Sequence, residues 1–459
     1  MSAKEQANLA MQGELRRIDT EIEQITLELS QTPDEDPNIP ALLYRLGGSY
    51  NDRFNVFGQS HDIDKAIEYT TKTFTLTAED SPLWLDLLTN LGGRHGKRFQ
   101  CQGNMEDNDK AIEYTSLAVA LTPEGDPKLS GRLGNLGNFR WGRFQHLGDS
   151  DELGKAIECE TRALTLTPDS HPDFSNRLAN LAVSFSCRFE LLGELGDLEK
   201  AIEYQSRAVA LVPDNHPELS IRLANLAASL KIRFEHLGKV GDLEKAIEYE
   251  SRAVVLMPDG HPEISSRLTN MAASLTLRFE RLGDVGDLEK TIKYQSQAVT
   301  LTPDGHPHLS RRLGNLSVSL IHRFERLGQV EDLEKAINHQ SRAVALTPCG
   351  HPDLSSLLAN LAVSLKNRFQ RLDEVGDLEK AIEYETRAVA LTPNGHPDFS
   401  SRLANLALSL SHRFQRLGQV GDLEKAIEYH SRAVALTPDG HPDLPTRLDN
   451  LAVSLKKSI

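Results

Sequence analysis

The sequence holds no window approaching eighteen apolar residues, which excludes a membrane-spanning helix. Its first residues, MSAKEQANLAMQGELRR, carry neither a continuous apolar core nor a cleavage site, so a cytoplasmic protein with no membrane partner is expected. Cysteines number four, Cys101, Cys159, Cys187 and Cys349, with no CxxC spacing, and reduced structural thiols are expected rather than a disulfide framework. Basic residues are in deficit, 51 against 66 acidic, for a net charge of −15. The chain therefore lacks the basic footprint of a general nucleic-acid binder, although a local basic groove stays open.

What the chain has in abundance is repetition. The segment GDLEKAIEYESRAVVLMPDG, residues 241–260, recurs at a fixed step of 45 residues. The Ala of its KAI core stands at Ala66, Ala111, Ala156, Ala201, Ala246, Ala336, Ala381 and Ala426, with Thr291 in the remaining place. A period in this range marks an array of stacked units, which grows by adding copies and not by enlarging one core.

The copy running from Pro217 to Gly260 shows how one unit is built. Apolar residues fall at Leu219, Leu223, Leu226, Ala227, Leu230, Phe234 and Leu237, a helical face, and Gly238 is placed to end that helix. Pro217 is expected at the first helical position, with Glu218 in the first turn, and Asp242 as the N-cap of a second helix. The second helix presents Leu243, Ala246, Ile247, Tyr249, Ala253, Val254 and Leu256 until Pro258 stops it. Ala246 and Ala253, two turns apart, let two helix axes approach closely. The expected fold is all-α: a right-handed α-solenoid of helix-turn-helix repeats, period 45. Residues 1–39 are expected to form a capping helix, 40–441 nine hairpins, and 442–459 a last helix without its mate. That last helix either closes the stack or marks where a longer protein continues. Gly92, Gly93 and Gly96, then Gly131, Gly134, Gly137 and Gly142, crowd two early first helices, so this end is expected to be the softer one.

The string Ala246-Ile247-Glu248-Tyr249, with Ala253 and Pro258 beyond it, resembles the second half of the tetratricopeptide repeat. Leu226-Ala227 and Leu230 are similar to its first half, and HPELSIRLANLA resembles the longer kinesin-light-chain type. Here the unit is longer than the usual repeat. The array also resembles those placed ahead of CHAT-type peptidase or NTPase domains. The resemblance implies a superhelix that binds a peptide or protein segment in a concave groove, without catalysis and without a cofactor. A regulatory arm of a larger enzyme is the alternative, and base-by-base RNA reading a third.

Comparison of equivalent places in the copies gives candidate contacts. Arg222, Asn225, Ser229 and Arg233 form one polar line beside the apolar face. Its Asn recurs from Asn90 to Asn450, with Asn180, Asn225, Asn270, Asn315, Asn360 and Asn405 at the centre. An amide that donates and accepts suits an extended peptide backbone, and suits equally a rung to the neighbouring helix. The resemblance implies the first role. An Arg before Phe recurs from Arg53 to Arg413 and includes Arg233, Arg278, Arg323 and Arg368. It complements a helix C-terminus and pairs with an acid of the adjacent unit, or else reaches a ligand. Three residues on stand Arg281, Arg326, Arg371 and Arg416, an edge suited to an acidic peptide or to a solvated helix end. A neighbouring place varies through Cys187, Ile232, Leu277, His322, Asn367 and His412, as a selectivity surface or unconstrained drift would.

Two signals mislead. Seven His residues precede Pro, from His171 to His441, one per unit; a helix-start role fits them better than a metal site. The string Gly92-Gly93-Arg94-His95-Gly96-Lys97 imitates a phosphate loop but is one residue short and falls inside a helix. No nucleophile–base pairing stands out, so no catalytic residue, cofactor site or metal site is expected.

Overall fold

The computed structural model describes residues 3–33, 35–258 and 260–458, with side chains from residue 11 onward. Twenty helices and no strand occur among the described residues. The chain divides into two compact units, Met1–Ser229 and Leu230–Ile459. In the first lie α1 (Ala3–Gln31), α2 (Ile39–Phe57), α3 (Ser60–Leu76), α4 (Trp84–Gln102), α5 (Met105–Leu121), α6 (Leu129–Leu147), α7 (Ser150–Thr165), α8 (Phe174–Leu192) and α9 (Leu195–Ala210). The division falls within α10 (Leu219–Leu237). The second unit continues with α11 (Val240–Val255), α12 (Ile264–Leu282), α13 (Val285–Thr300), α14 (Leu309–Leu327), α15 (Val330–Leu346) and α16 (Leu354–Leu372). It ends with α17 (Val375–Leu391), α18 (Phe399–Leu417), α19 (Val420–Ala435) and α20 (Leu444–Lys457).

Within each unit the helices pair as hairpins, such as α4 with α5 and α16 with α17, and successive hairpins stack. This is an α-solenoid of helical hairpin repeats. Its core belongs to no single hairpin. Phe369, Leu378 and Ile382 of one hairpin pack with Leu406, Leu410 and Ala426 of the next, all buried. The paired alanines act as the sequence suggests: Ala336 and Ala343 are fully buried on α15, so no side chain holds the neighbouring helix away. At the chain start, Ile18, Ile22 and Ile25 of α1 pack on Leu42 and Leu46 of α2.

Each first helix from α2 to α18 ends in a left-handed residue. Gly283, at φ 75°, donates its amide to the Phe279 carbonyl at 2.7 Å. The equivalent place after α16 holds Asp373 at φ 60°, where glycine would be unstrained. Two details differ from the sequence reading. Helix α11 begins at Val240 behind Lys239, so Asp242 is not the N-cap but a buried first-turn residue whose carboxylate faces Arg233. Pro217 lies in a turn ahead of α10 and not at its first position, since the His–Pro turn completes itself before Leu219.

That turn explains the seven histidines. The Glu218 amide donates to His216 Nδ1 at 3.2 Å, and His171, His261, His306, His351, His396 and His441 accept in the same way two residues on. Among the described residues no cluster of His, Cys, Asp and Glu is arranged to hold a metal ion. No described helix is long and apolar enough to cross a membrane.

The glycines of the early helices are not all slack. A Cβ on Gly92 would meet the Thr115 hydroxyl, and one on Gly47 would lie 2.9 Å from the Thr70 hydroxyl, so these glycines admit a close helix approach. Gly93 and Gly131 have open space around them. The 92–97 string lies wholly within α4.

Candidate functional site

The Arg before Phe is held inside its own hairpin. Arg278, Arg323, Arg368 and Arg413 each clasp an Asp nine residues on through two hydrogen bonds of 2.6–2.7 Å. Arg233 does so with Asp242 at 2.6 and 2.8 Å. The short turn makes the two helices antiparallel and brings residues nine apart face to face. The aspartates are buried, and these paired hydrogen bonds to Asp hold the guanidinium pKa values of Arg278, Arg323, Arg368 and Arg413 above the ordinary value. Acids of the preceding unit add to it, as Glu289 does for Arg323. Arg143 departs from the pattern: nine residues on stands Glu152, which pairs with Arg140 at 3.1 Å, while Arg143 turns to Asp109 at 3.5 Å. These arginines are framework, with little left to offer a ligand.

The polar line read from the sequence divides in space. Arg222 and Ser229 are buried, whereas Asn225 reaches solvent. The buried Arg is a clamp between units. Arg402 Nη1 donates to Thr392 Oγ1 at 2.5 Å and Nη2 to Ser356 Oγ at 2.9 Å, and Arg312 and Arg447 repeat the arrangement. Opposite the buried Ser runs a column that sequence reasoning missed. Glu160, Gln205, Glu250, Gln295, Gln340, Glu385 and His430 occupy one place on successive second helices, all buried. Ser364 donates to Gln340 Oε1 at 2.6 Å. Burial pushes the Glu160 and Glu250 carboxyls up to about 7, and Glu385 rises for the same reason against the pull of Lys366. The column was visible as a 45-residue recurrence. Only its burial was not.

The Asn column faces outward, and clefts lie between neighbouring first helices. One of 340 Å³ is lined by Asn176, Asn180, Ile221 and Asn225; another of 310 Å³ by Thr269, Ala273, Leu277 and Asn315. At the same place on their helices Asn270 is exposed, and Asn360 and Asn405 are half-buried. Two members are tied: Asn180 Nδ2 lies 3.3 Å from Asn138 Oδ1, and Asn90 Nδ2 lies 3.4 Å from the Tyr44 hydroxyl. The rung role thus describes Asn90 and Asn180. The clefts also use Ala and Val places, Ala179, Val183, Ala273 and Val318, which looked like ordinary apolar positions in the sequence.

The four edge arginines are exposed, and three of them reach back toward the preceding first helix. Arg326 lies over the Phe279 ring at 5.7 Å, Arg371 approaches Gly328 at the end of α14, and Arg416 pairs with Asp373. Arg281 stands exposed without such a contact among the described residues. The variable place from Cys187 to His412 is half-buried throughout, and its Leu277 lines a cleft.

Residues 190–215 match the tetratricopeptide repeat model. They include Ala201, Ile202, Tyr204, Ala208 and Pro213 of one copy, the same places the other copies repeat. Over those residues the chain is similar to a tetratricopeptide repeat. No curated protein matches the chain. Among solved structures it is similar to a putative kinesin light chain with nearly identical TPR-like repeats from Podosopora anserina, at 16% identity and TM-score 0.35, covering 48% of this chain and 98% of that one. It is similar also to YrrB, a TPR protein with an unusual peptide-binding site, at 16% identity and TM-score 0.35, over 56% of this chain and 99% of that one. A third likeness is to a monomeric mutant of IFIT1 with Gppp-AAAA, at 15% identity and TM-score 0.39, over 96% and 91%. Likenesses this distant say nothing of what the scaffold holds.

Proposed function

We propose that the outward face of the first helices holds an extended segment of another protein, gripping its backbone through the Asn column. The supporting observation is that Asn180, Asn225 and Asn315 line clefts between successive first helices, while Asn270 and Asn315 are exposed and Asn225, Asn360 and Asn405 half-buried. An amide beside a backbone strand gives one donor and one acceptor per unit, whatever the segment's side chains. Acidic segments gain further from Arg281, Arg326, Arg371 and Arg416, whose guanidiniums suit carboxylates. The protein acts in the cytoplasm as a non-catalytic scaffold, with protein and not nucleic acid as its partner.

Quantitative pulldown tests this with wild type, with Asn270, Asn315, Asn360 and Asn405 changed to Ala, and with the four edge arginines changed to Ala. Loss of most partners by the Asn variant is expected, and loss of only acidic partners by the Arg variant. Retention of every partner by both variants would overturn the reading.

A further inference from the structure

The first unit contains a cavity of 340 Å³ among α4, α6 and α8. It opens where Gly142 stands, a place that later copies fill with Cys187, Ile232, Leu277, His322, Asn367 and His412. A Cβ on Gly142 would already touch the Phe99 ring at 3.3 Å. Phe99, Phe139, Trp141 and His146 wall the space, and Phe99 and His146 lie with ring centroids 4.9 Å apart.

The wall carries two buried acceptors without a hydrogen-bond partner, and one buried donor without one, Trp141 Nε1. Glu160 is 5% exposed, and its Oε2 has no hydrogen-bond partner. Asn108 is fully buried; its amide nitrogen donates to the Phe139 carbonyl at 3.2 Å, which leaves Oδ1 without a partner. His146 Nδ1 is taken by the Gly142 carbonyl at 3.1 Å, so a neutral ring keeps Nε2 as an acceptor. Glu160 and His146 are the titratable residues of the wall, and the Glu160 carboxyl faces Ser184 and no cation. Two orphaned acceptors beside aromatic faces lack one thing, a positive charge carrying N–H donors.

We propose that this cavity binds an organic cation, an alkylammonium, arylammonium or guanidinium group, with Glu160 as its counter-ion and the aromatic walls around it. The volume lies at the lower end of small-ligand sites, about 300–1,000 Å³. The cation comes either from a free amine or from a Lys or Arg side chain. Of the Asn column, Asn180 lines this cavity, already tied to Asn138; none of Asn270, Asn315, Asn360 and Asn405 does, so their replacement tests the earlier proposal without touching this one.

The test uses the full chain with Trp84 changed to Phe, so that Trp141 alone reports by fluorescence. Phenethylammonium is titrated against its neutral analogue 2-phenylethanol, and a capped alanine peptide carrying one arginine is run in parallel. Glu160→Gln removes the charge while installing the residue that Gln205, Gln295 and Gln340 already place there. Gly142→Ile fills the space with the side chain of Ile232. The expected result is saturable binding of a cation, weakened about tenfold or more in Glu160→Gln and lost in Gly142→Ile, with the alcohol about tenfold weaker. Binding of the free amine identifies a small-molecule site, and binding of the peptide alone identifies a side-chain site. If neither cation binds at up to about 10 mM, or if Glu160→Gln binds as tightly as wild type, the proposal fails. Circular dichroism of both variants confirms the fold, and Glu160→Gln decides should Gly142→Ile not fold.

Discussion

Glu250 is ionisable yet buried against Ser274, and stability should depend on pH because of it. Burial raises its carboxyl from an ordinary 4.5 to about 7. Below pH 4.5 the group is protonated in both folded and unfolded chain and exerts no pH dependence. Between 4.5 and 7 the unfolded chain releases the proton while the folded one keeps it, so stability falls as pH rises. Above 7 both forms are ionised and the loss is complete. At 1.36 kcal/mol per pH unit the gap amounts to about 3 kcal/mol. Glu250→Gln abolishes the titration and keeps the shape, and Gln340 shows that an amide at this place is met by Ser364. The variant should match wild type near pH 4.5 and exceed it by about 3 kcal/mol at pH 8, about 2–4 °C in Tm per kcal/mol for a unit of this size. Paired melts at pH 4.5, 6 and 8 read the difference. Hydrogen exchange in α11 and α12 shows whether the gain is local, as it should be in a stack of repeats. A variant-minus-wild-type gap that does not change with pH, or that shrinks toward pH 8, would refute the argument.

Glycine substitutions in α4 and α6 should act in opposite directions according to the space each Cβ meets. Gly93→Ala and Gly131→Ala, each facing open space, should stabilise by about 1 kcal/mol, whereas Gly92→Ala, against the Thr115 hydroxyl, should destabilise by about 1–3 kcal/mol in urea titration. Arg323→Ala leaves the buried Asp332 carboxylate without its clasp and should destabilise by about 2–3 kcal/mol. Arg323→Lys should recover only part, because one ammonium cannot make the paired contact; denaturation midpoints check both.

Periodicity carried most of the fold. Helix identity, hairpin order and the small residues at close approaches were all legible, because each depends on spacing along one helix. The features that were missed depend on two helices at once. Arg323 was read as an Arg near a helix end that pairs with an acid of the adjacent unit, and the Asp place as a cap, since nothing in either helix alone says that Arg323 and Asp332 meet. The Glu and Gln column remained unremarked for the same reason: its Ser partner lies 24 residues away, as Ser364 does from Gln340. Asn315 was legible as a recurring amide beside an apolar face, and Thr269 and Ala273, which complete its cleft, were not. A groove is made by adjacent copies, and its walls take whatever lies between two helices.

One consequence follows from how far the clasps and clamps reach. The Arg–Asp clasp spans nine residues, and the Arg402 clamp spans 46 to Ser356. The more extensive helix contacts among the described residues join first and second neighbours along the chain. Each hairpin is completed by its neighbours along the chain, as Phe369 is by Leu406 and Leu410. A ribosome synthesising this chain therefore exposes, at any moment, a finished stack and about one unfinished period, and each new hairpin closes onto a template already in place. For a protein of 459 residues, the stretch at risk of aggregation during synthesis stays that of a small domain.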